Sequence, residues 1–287
     1  MALKRGLTDI SKVYRGTTEV QSIYRGTSLI WSNFDADALA FVTAAGITDN
    51  TQKTAIDTLV KGLKTNNLWT KMKAIYPFVG GTATTHKFNL KDPRDLDAAF
   101  RLQFFGGITH SANGVLPNGT NGYADTFFVP SIQTTLNSEH LSLYSTTNNT
   151  PLTIDSVDIG SYVGSTLSSI LAIRGFSSKN TFFTRLNGNI ISFTNIDARG
   201  LFIASKTSAT LTKLYKNSTN VASGNSGGIL SSFNIFIGTI GRNIPYSNGW
   251  TNQNYAFATI GDGITDTDAT NFYNIVQAYQ TTLGRQV

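Results

Sequence analysis

The feature that most constrains this chain is a run of nearly two hundred residues, from Trp69 to about residue 260, built almost entirely of short apolar-alternating stretches cut by turn residues. Ten such stretches read as strands: 74–79, 100–105, 123–129, 140–145, 169–174, 180–186, 200–205, 210–215, 233–239 and 255–260. Gly80-Gly81, Asn113-Gly114, Pro117-Asn118-Gly119, Asn187-Gly188 and Asn248-Gly249 separate them. Asn-Gly between alternating runs is a strong hairpin signal because both residues tolerate positive φ, which makes Asn187-Gly188 the clearest turn in the chain. Short strands at regular spacing with turn signals between them predict a mainly β, antiparallel sandwich or jelly roll.

Composition supports that fold class. Charged residues are 14% of the 287, and Glu appears only at Glu19 and Glu139. Solvated helical faces are normally written in Glu and Lys, so helix is the minority element. Two helical regions still stand out. Residues 35–67 open on Asp35, a good N-cap, and run to Gly46, a good helix stop. A second helix starts near Asp49, and Ala55, Ile56, Leu59, Val60 and Leu63 fall on one face, so the segment predicts a helical hairpin. Near the C-terminus, Thr265 or Asp266 caps a helix whose stripe is Phe272, Ile275, Val276 and Tyr279.

The first 34 residues carry a ten-residue repeat, Val13-Tyr14-Arg15-Gly16-Thr17 and then Ile23-Tyr24-Arg25-Gly26-Thr27. Each copy predicts a short strand ending in a Gly turn, arranged as a small β-meander or strand-exchange arm that must pack on something else. The expected organisation is a β-repeat arm over 1–34, a helical hairpin over 35–67, and a sandwich with a C-terminal helix over 68–287.

Several function classes are disfavoured. The net charge is +6, but the basic residues are scattered rather than gathered in a stripe, so a nucleic-acid partner is not expected. With no cysteine there are no disulfides or thiolate metal sites. No apolar run is long enough to span a membrane, and the opening MALKRGLTDI lacks a signal-peptide core.

Catalytic signals are equally sparse. Gly224-Asn225-Ser226-Gly227-Gly228 matches G-x-S-x-G, yet both flanks read as strands where a nucleophile elbow needs strand, turn and helix. His86, His110 and His140 lack metal-ligand spacing and read as exposed or singly hydrogen-bonded. Asp262, Asp266 and Asp268 do not follow a calcium-loop pattern; helix capping explains the last two better. Glu139 reads as part of a strand-boundary loop, and no acid pair has the signal of a glycosidase. The chain therefore reads as non-catalytic, with no cofactor and no metal. The best ligand-binding candidate is the loop holding Tyr246, Asn248, Trp250 and Asn252, which combines aromatic faces with amide hydrogen-bonding groups. Burial of Trp250 in the core or a subunit contact is the alternative. In the arm, Tyr14, Arg15, Tyr24, Arg25 and Trp31 form the candidate attachment surface, since Tyr, Arg and Trp are favoured interface anchors.

A resemblance sharpens these expectations. Residues 68–81 (LWTKMKAIYPFVGG), 86–95 (HKFNLKDPRD), 118–126 (NGTNGYADT), 260–266 (IGDGITD) and 281–286 (TTLGRQ) resemble runs in bacteriophage virion proteins of the tail-fibre, head-fibre and spike type. The stretch from Leu214-Tyr215-Lys216-Asn217 to Ile235-Phe236-Ile237-Gly238 is similar to paired strands of the concanavalin/LamG-like sandwich, and the Tyr-Arg-Gly repeat resembles short attachment segments of phage tail proteins. The resemblance implies a structural component of a virion, assembled in the host cytoplasm. Its N-terminus would attach to other virion proteins, and its jelly-roll sandwich would serve receptor or carbohydrate binding at the host surface. It also implies a homo-oligomer such as a trimer. A depolymerase acting on host polysaccharide is the alternative.

Overall fold

The computed structural model describes residues 4–5, 8–9, 12–20, 22–26, 28–153, 155–164, 167–175, 178–225, 227–242 and 249–287. Its N-terminal strands form three hairpins: β1 (Lys4–Arg5) with β2 (Thr8–Asp9), β3 (Val13–Arg15) with β4 (Thr18–Val20), and β5 (Ser22–Arg25) with β6 (Ser28–Ser32). Each Tyr-Arg-Gly copy thus makes one hairpin, turning at Gly16 (φ 66°) and Gly26 (φ 62°), where a side chain would be strained. No ladder joins β4 to β5 among the described residues, so the arm is a string of separate hairpins rather than a meander.

Helices α1 (Ala36–Ala44) and α2 (Asn50–Thr65) follow. The Asp35 carboxylate accepts from Asp37 N–H at 2.9 Å, and that of Asp49 accepts from Gln52 N–H at 2.8 Å, so both N-caps work as their residue types dictate. Gly46, at φ 65°, stops α1. The α2 stripe Ala55, Ile56, Leu59, Val60 and Leu63 is buried throughout.

The sandwich comprises β7 (Met72–Tyr76), α3 (Ala83–His86), β8 (Gln103–Phe105), β9 (Ile108–Ser111), β10 (Gly114–Pro117), β11 (Tyr123–Asp125), α4 (Pro130–Gln133), β12 (Glu139–Ser145), β13 (Ile159–Gly164), β14 (Leu167–Ala172), β15 (Thr181–Leu186), β16 (Ile191–Thr194), β17 (Gly200–Ser208), β18 (Leu211–Lys216), β19 (Thr219–Gly224), β20 (Phe236–Ile237), β21 (Tyr255–Gly261) and α5 (Asp266–Thr282). One sheet has eight strands in the order β19-β18-β17-β12-β21-β10-β9, with β7 also on β21; the other has seven, β16-β15-β14-β13-β20-β11-β8. Every strand-to-strand ladder in both is antiparallel. The protein is therefore a mainly β, two-sheet sandwich with few helices.

Two apolar cores organise it into three layers. Leu141, Leu143, Phe202, Ala258 and Ile260 of the first sheet meet Ile159, Leu171, Phe182, Leu186 and Ile237 of the second. On its other face the first sheet offers Tyr144, Leu201, Ile203 and Phe257 to Phe41 of α1, Ile56 and Leu59 of α2, and Phe272 and Val276 of α5. The helices share that core with the sheet. This double coverage is why every residue of β12 and β21 is buried. A bulge places Ala256 beside Phe257 on the helix side and turns Tyr255 inward, where its hydroxyl donates to the buried Asp158 carboxylate. At the C-terminus, Thr265 caps α5 in a reciprocal box with Asp268.

Candidate ligand-binding face

All three long helices cover the first sheet, so the outer face of the second is left for other uses. Strand parity decides what it presents. In β15, Phe182 and Leu186 point between the sheets, which turns Thr181, Phe183 and Arg185 outward. By the same alternation β8 presents Phe105, β11 presents Tyr123, β20 presents Phe236, and β13 presents Tyr162. An ordinary solvated face would be polar here; this one carries rings.

Four of the rings form a row. Phe105 and Tyr123 stack with centroids 4.9 Å apart and planes at 13°, and Tyr123 and Phe236 stack at 4.8 Å and 28°. Trp250 leans on Tyr123 at 6.0 Å and 44°. Burial, with the nearby Asp125 carboxylate adding to it, raises the Tyr123 phenol above its ordinary range, so it is a neutral hydroxyl at physiological pH. Phe105 is 36% exposed, while Tyr123 and Trp250 are half-buried.

Further along the same face, an open cavity of about 140 Å³ sits on an apolar floor that includes Ile170, Phe183 and Ile240. Asp155, Arg185 and Arg242 bring charged groups to its lining. The Arg242 guanidinium lies over the Tyr162 ring, 4.6 Å from its centroid. The Arg185 Nε is buried without a hydrogen-bond partner. Val157, another wall residue, donates its N–H to Gly249 O at 3.0 Å, which ties the cavity to the segment carrying Trp250.

A larger hollow of about 460 Å³ is lined by Thr109, Asn113, Thr146, Asn254 and Arg285. It offers no aromatic surface. The Arg285 guanidinium is 6% exposed and is occupied internally: it donates to Gln280 Oε1 and to the carbonyls of Phe78, Ala112, Pro77 and Ala256.

Of the sequence-predicted ligand residues, Trp250 joins the aromatic row rather than the core. Asn252 lies beside it in sequence but is turned toward Thr150, whose carbonyl accepts from Nδ2 at 3.3 Å. Tyr246 and Asn248 lie outside the described residues. Of the attachment residues, Tyr14 is 55% exposed and Arg15 and Arg25 are exposed. The side chains of Tyr24 and Trp31 lie outside the described set; the Trp31 backbone pairs with Ile23.

Two of the three histidines depart from expectation, while His110 is half-buried and hydrogen-bonds to His86 as the single-partner reading expects. His86 and His140 are buried. Gly81 N–H donates to His86 Nε2 (3.2 Å), and His86 Nδ1 lies 3.0 Å from His110 Nδ1. Since Nε2 accepts, neutral His86 carries its proton on Nδ1 and donates it to His110. Burial, together with His110 and Arg285 nearby, pushes the His86 ring down to about 3. His140 has two partners, the Asp262 carbonyl (2.6 Å) and Thr259 Oγ1 (2.9 Å), and burial lowers it to about 4. Among the described residues none of the three is hydrogen-bonded to a serine side chain, and Ser226 lies outside them.

The acids differ too. Glu139 opens β12 rather than sitting in a loop and is fully buried between the sheets. Its Oε2 accepts from Asn187 Nδ2 at 2.9 Å while Oε1 has no partner, and burial pushes the carboxyl up to about 7. Asp268 is the capping acid, whereas Asp266 accepts from Lys213 Nζ and the Tyr215 hydroxyl. Among the described residues no three His, Cys, Asp or Glu side chains come together as a metal site, and no helix is long and apolar enough to cross a membrane.

The face escaped the sequence reading because Phe105, Tyr123, Phe236, Tyr162 and Arg185 are far apart in the chain and lie on strands. One signal was available: β15 reads Thr-Phe-Phe-Thr-Arg-Leu, with large apolar residues on both faces of a strand whose outer side no helix covers.

No protein-family model matches the sequence, and no curated protein matches it. Solved structures do resemble it in fold. Domain 4 of AbnA, a GH43 extracellular arabinanase from Geobacillus stearothermophilus solved in complex with arabinotriose, superposes with a TM-score of 0.51 at 12% identity, over 71% of this chain and 98% of that one. The binding domain of botulinum neurotoxin DC, solved in complex with rat synaptotagmin II, gives a TM-score of 0.47 at 10% identity over 73% of this chain, and only 52% of that domain is spanned. The chain is thus a two-sheet β-sandwich with the architecture of the arabinanase domain.

Proposed function

We propose that this protein is a structural component of a phage particle, of the fibre, spike or tail kind, held through its N-terminal hairpins and presenting the outer face of the second sheet to a host-surface glycan. The observation that carries the binding part is the aromatic row and cavity on the one sheet face that the long helices leave open. Rings with polar tips suit sugars, whose C–H faces pack on aromatic surface while their hydroxyls need directional partners. The arabinanase domain, solved with a trisaccharide, shows that a sandwich of this architecture accommodates such a ligand; the assignment here rests on the residues.

The attachment part is supported by the arm. Two-stranded hairpins bury too little surface to be stable alone, so three in a row, each paired only within itself among the described residues, need a partner surface. Exposed Tyr14, Arg15 and Arg25 suit a contact with other virion proteins or with further copies of this chain. Binding is favoured over polysaccharide cleavage because Glu139, the only Glu outside the arm, lies sealed between the sheets.

A glycan array probed with the full chain and with Tyr123→Ala and Trp250→Ala variants tests the binding part. Retained array binding in both variants would rule this face out. Purification of particles carrying a chain truncated before residue 35 tests attachment: the truncated chain should be missing from them.

A further inference from the structure

We propose that the cavity beside the aromatic row is a subsite for an acidic sugar, with the carboxylate taken by Arg185 and Arg242 and the ring hydroxyls by Asp155. The inference rests on the glycan-binding reading above and specifies which sugars that face selects.

Size sets the scale of the ligand. At about 140 Å³ the cavity is smaller than the ~300–1,000 Å³ pockets that take drug-sized ligands, the scale of one sugar unit rather than a chain. Its floor is apolar, so the contacts of an entering charge with the wall are stronger than they would be in open water.

The charges come next. Two guanidiniums and one carboxylate line the space, giving it a net positive character. Arg185 Nε is buried and makes no hydrogen bond, and no ion pair involves the side chain among the described residues. A buried donor left unsatisfied is destabilising, and the natural partner of a guanidinium is a carboxylate that meets its fork with two oxygens. Arg242 is already positioned by the Tyr162 ring, which lowers the cost of ordering it around a ligand.

Asp155 narrows the class. Its carboxylate repels a bare anion such as sulfate or phosphate but accepts hydroxyl donors. A ligand that satisfies Arg185, Arg242 and Asp155 together needs a carboxylate and hydroxyls on one compact frame, which describes a hexuronate or a sialic acid. The subsite also adjoins the Gly249–Trp250 segment through Val157, so a glycan seated on the aromatic row has a route for an acidic branch or neighbour.

The test uses matched pairs with the full-length chain in titration calorimetry at low salt: 3′-sialyllactose against lactose, and trigalacturonate against its carboxyl-reduced form. At least one acidic member is expected to bind ten-fold or more tighter than its neutral partner, with the preference eroding as NaCl rises. Arg185→Gln should bring the acidic ligand to the neutral level, and Arg185→Lys, which keeps the charge but loses the fork, should recover only part. Circular dichroism confirms that each variant is folded. Equal affinity within both pairs would overturn the acidic subsite and leave the glycan-binding reading standing. No binding of any glycan here or on the array would overturn both. Inorganic sulfate competing as well as the sugar acid would also overturn it, because the site would then be a simple anion hole.

Discussion

Replacing Glu139 by Gln should make the protein more stable, and only above acid pH. Glu139 is fully buried, and burial raises its carboxyl from 4.5 to about 7. Below pH 4.5 the group is protonated in both folded and unfolded chains and contributes no difference. As pH rises, the unfolded chain ionises first, so the folded state loses relative stability until the folded group also ionises near 7. At about 1.4 kcal/mol per pH unit, that gap corresponds to about 3 kcal/mol lost above pH 7. Gln keeps an acceptor for Asn187 Nδ2 and removes the charge. Urea unfolding followed by tryptophan fluorescence should show the two proteins equal at pH 4 and the variant ahead by about 3 kcal/mol at pH 8. A difference that does not change with pH, or a variant weaker at pH 8, would refute the reasoning.

Three further outcomes follow from the buried polar groups and the helix layer. In two-dimensional NMR, the rings of His86 and His140 should stay neutral between pH 8 and 5, since burial holds them at about 3 and about 4; titration of either near 6.5 would contradict their burial. The sign is opposite to Glu139: below pH 6.5 the unfolded chain gains these protons first, so both rings weaken the fold as pH falls. Arg285→Gln removes a guanidinium that donates to five internal acceptors, and its loss should cost at least about 3 kcal/mol in urea unfolding because several carbonyls lose their donor. Leu59→Ala, on the buried α2 face, should cost about 2–5 kcal/mol and show in the same transition as the sandwich, because α2 shares its core with the first sheet.

Much of the architecture was legible because local rules and tertiary packing agree in this chain. Each of the ten predicted strands overlaps an observed one, and the α2 stripe, the Asp35 and Asp49 caps and the Thr265 cap appear as the residues dictate. Five strands of the sandwich went unread for physical reasons. In β9 and β10 the short segments flanking Asn113-Gly114 read as turn, although they pair across it. β13 is broken by Gly160 and Gly164, β16 is a four-residue edge, and β19 is polar and faces solvent. Thr, Ser and Asn beside His86 and His140 in sequence suggest solvent, whereas their partners come from elsewhere: Thr259 of β21 for His140, and Gly81 and His110 for His86. The binding face was legible only at Trp250. The rest of it exists only once β8, β11, β20, β13, β14 and β15 lie in that order in one sheet, a register that no local pattern specifies.

On the proposed reading, this protein meets its ligand on the outer face of the second sheet. Hydrogen–deuterium exchange of the full chain, with and without purified host-surface polysaccharide, tests it most directly. Exchange should slow at Tyr123, in β13 and β15, and around Trp250, with the helices unchanged. Protection confined to α1, α2 and α5, or no change along the sandwich while the polysaccharide is demonstrably bound, would contradict it.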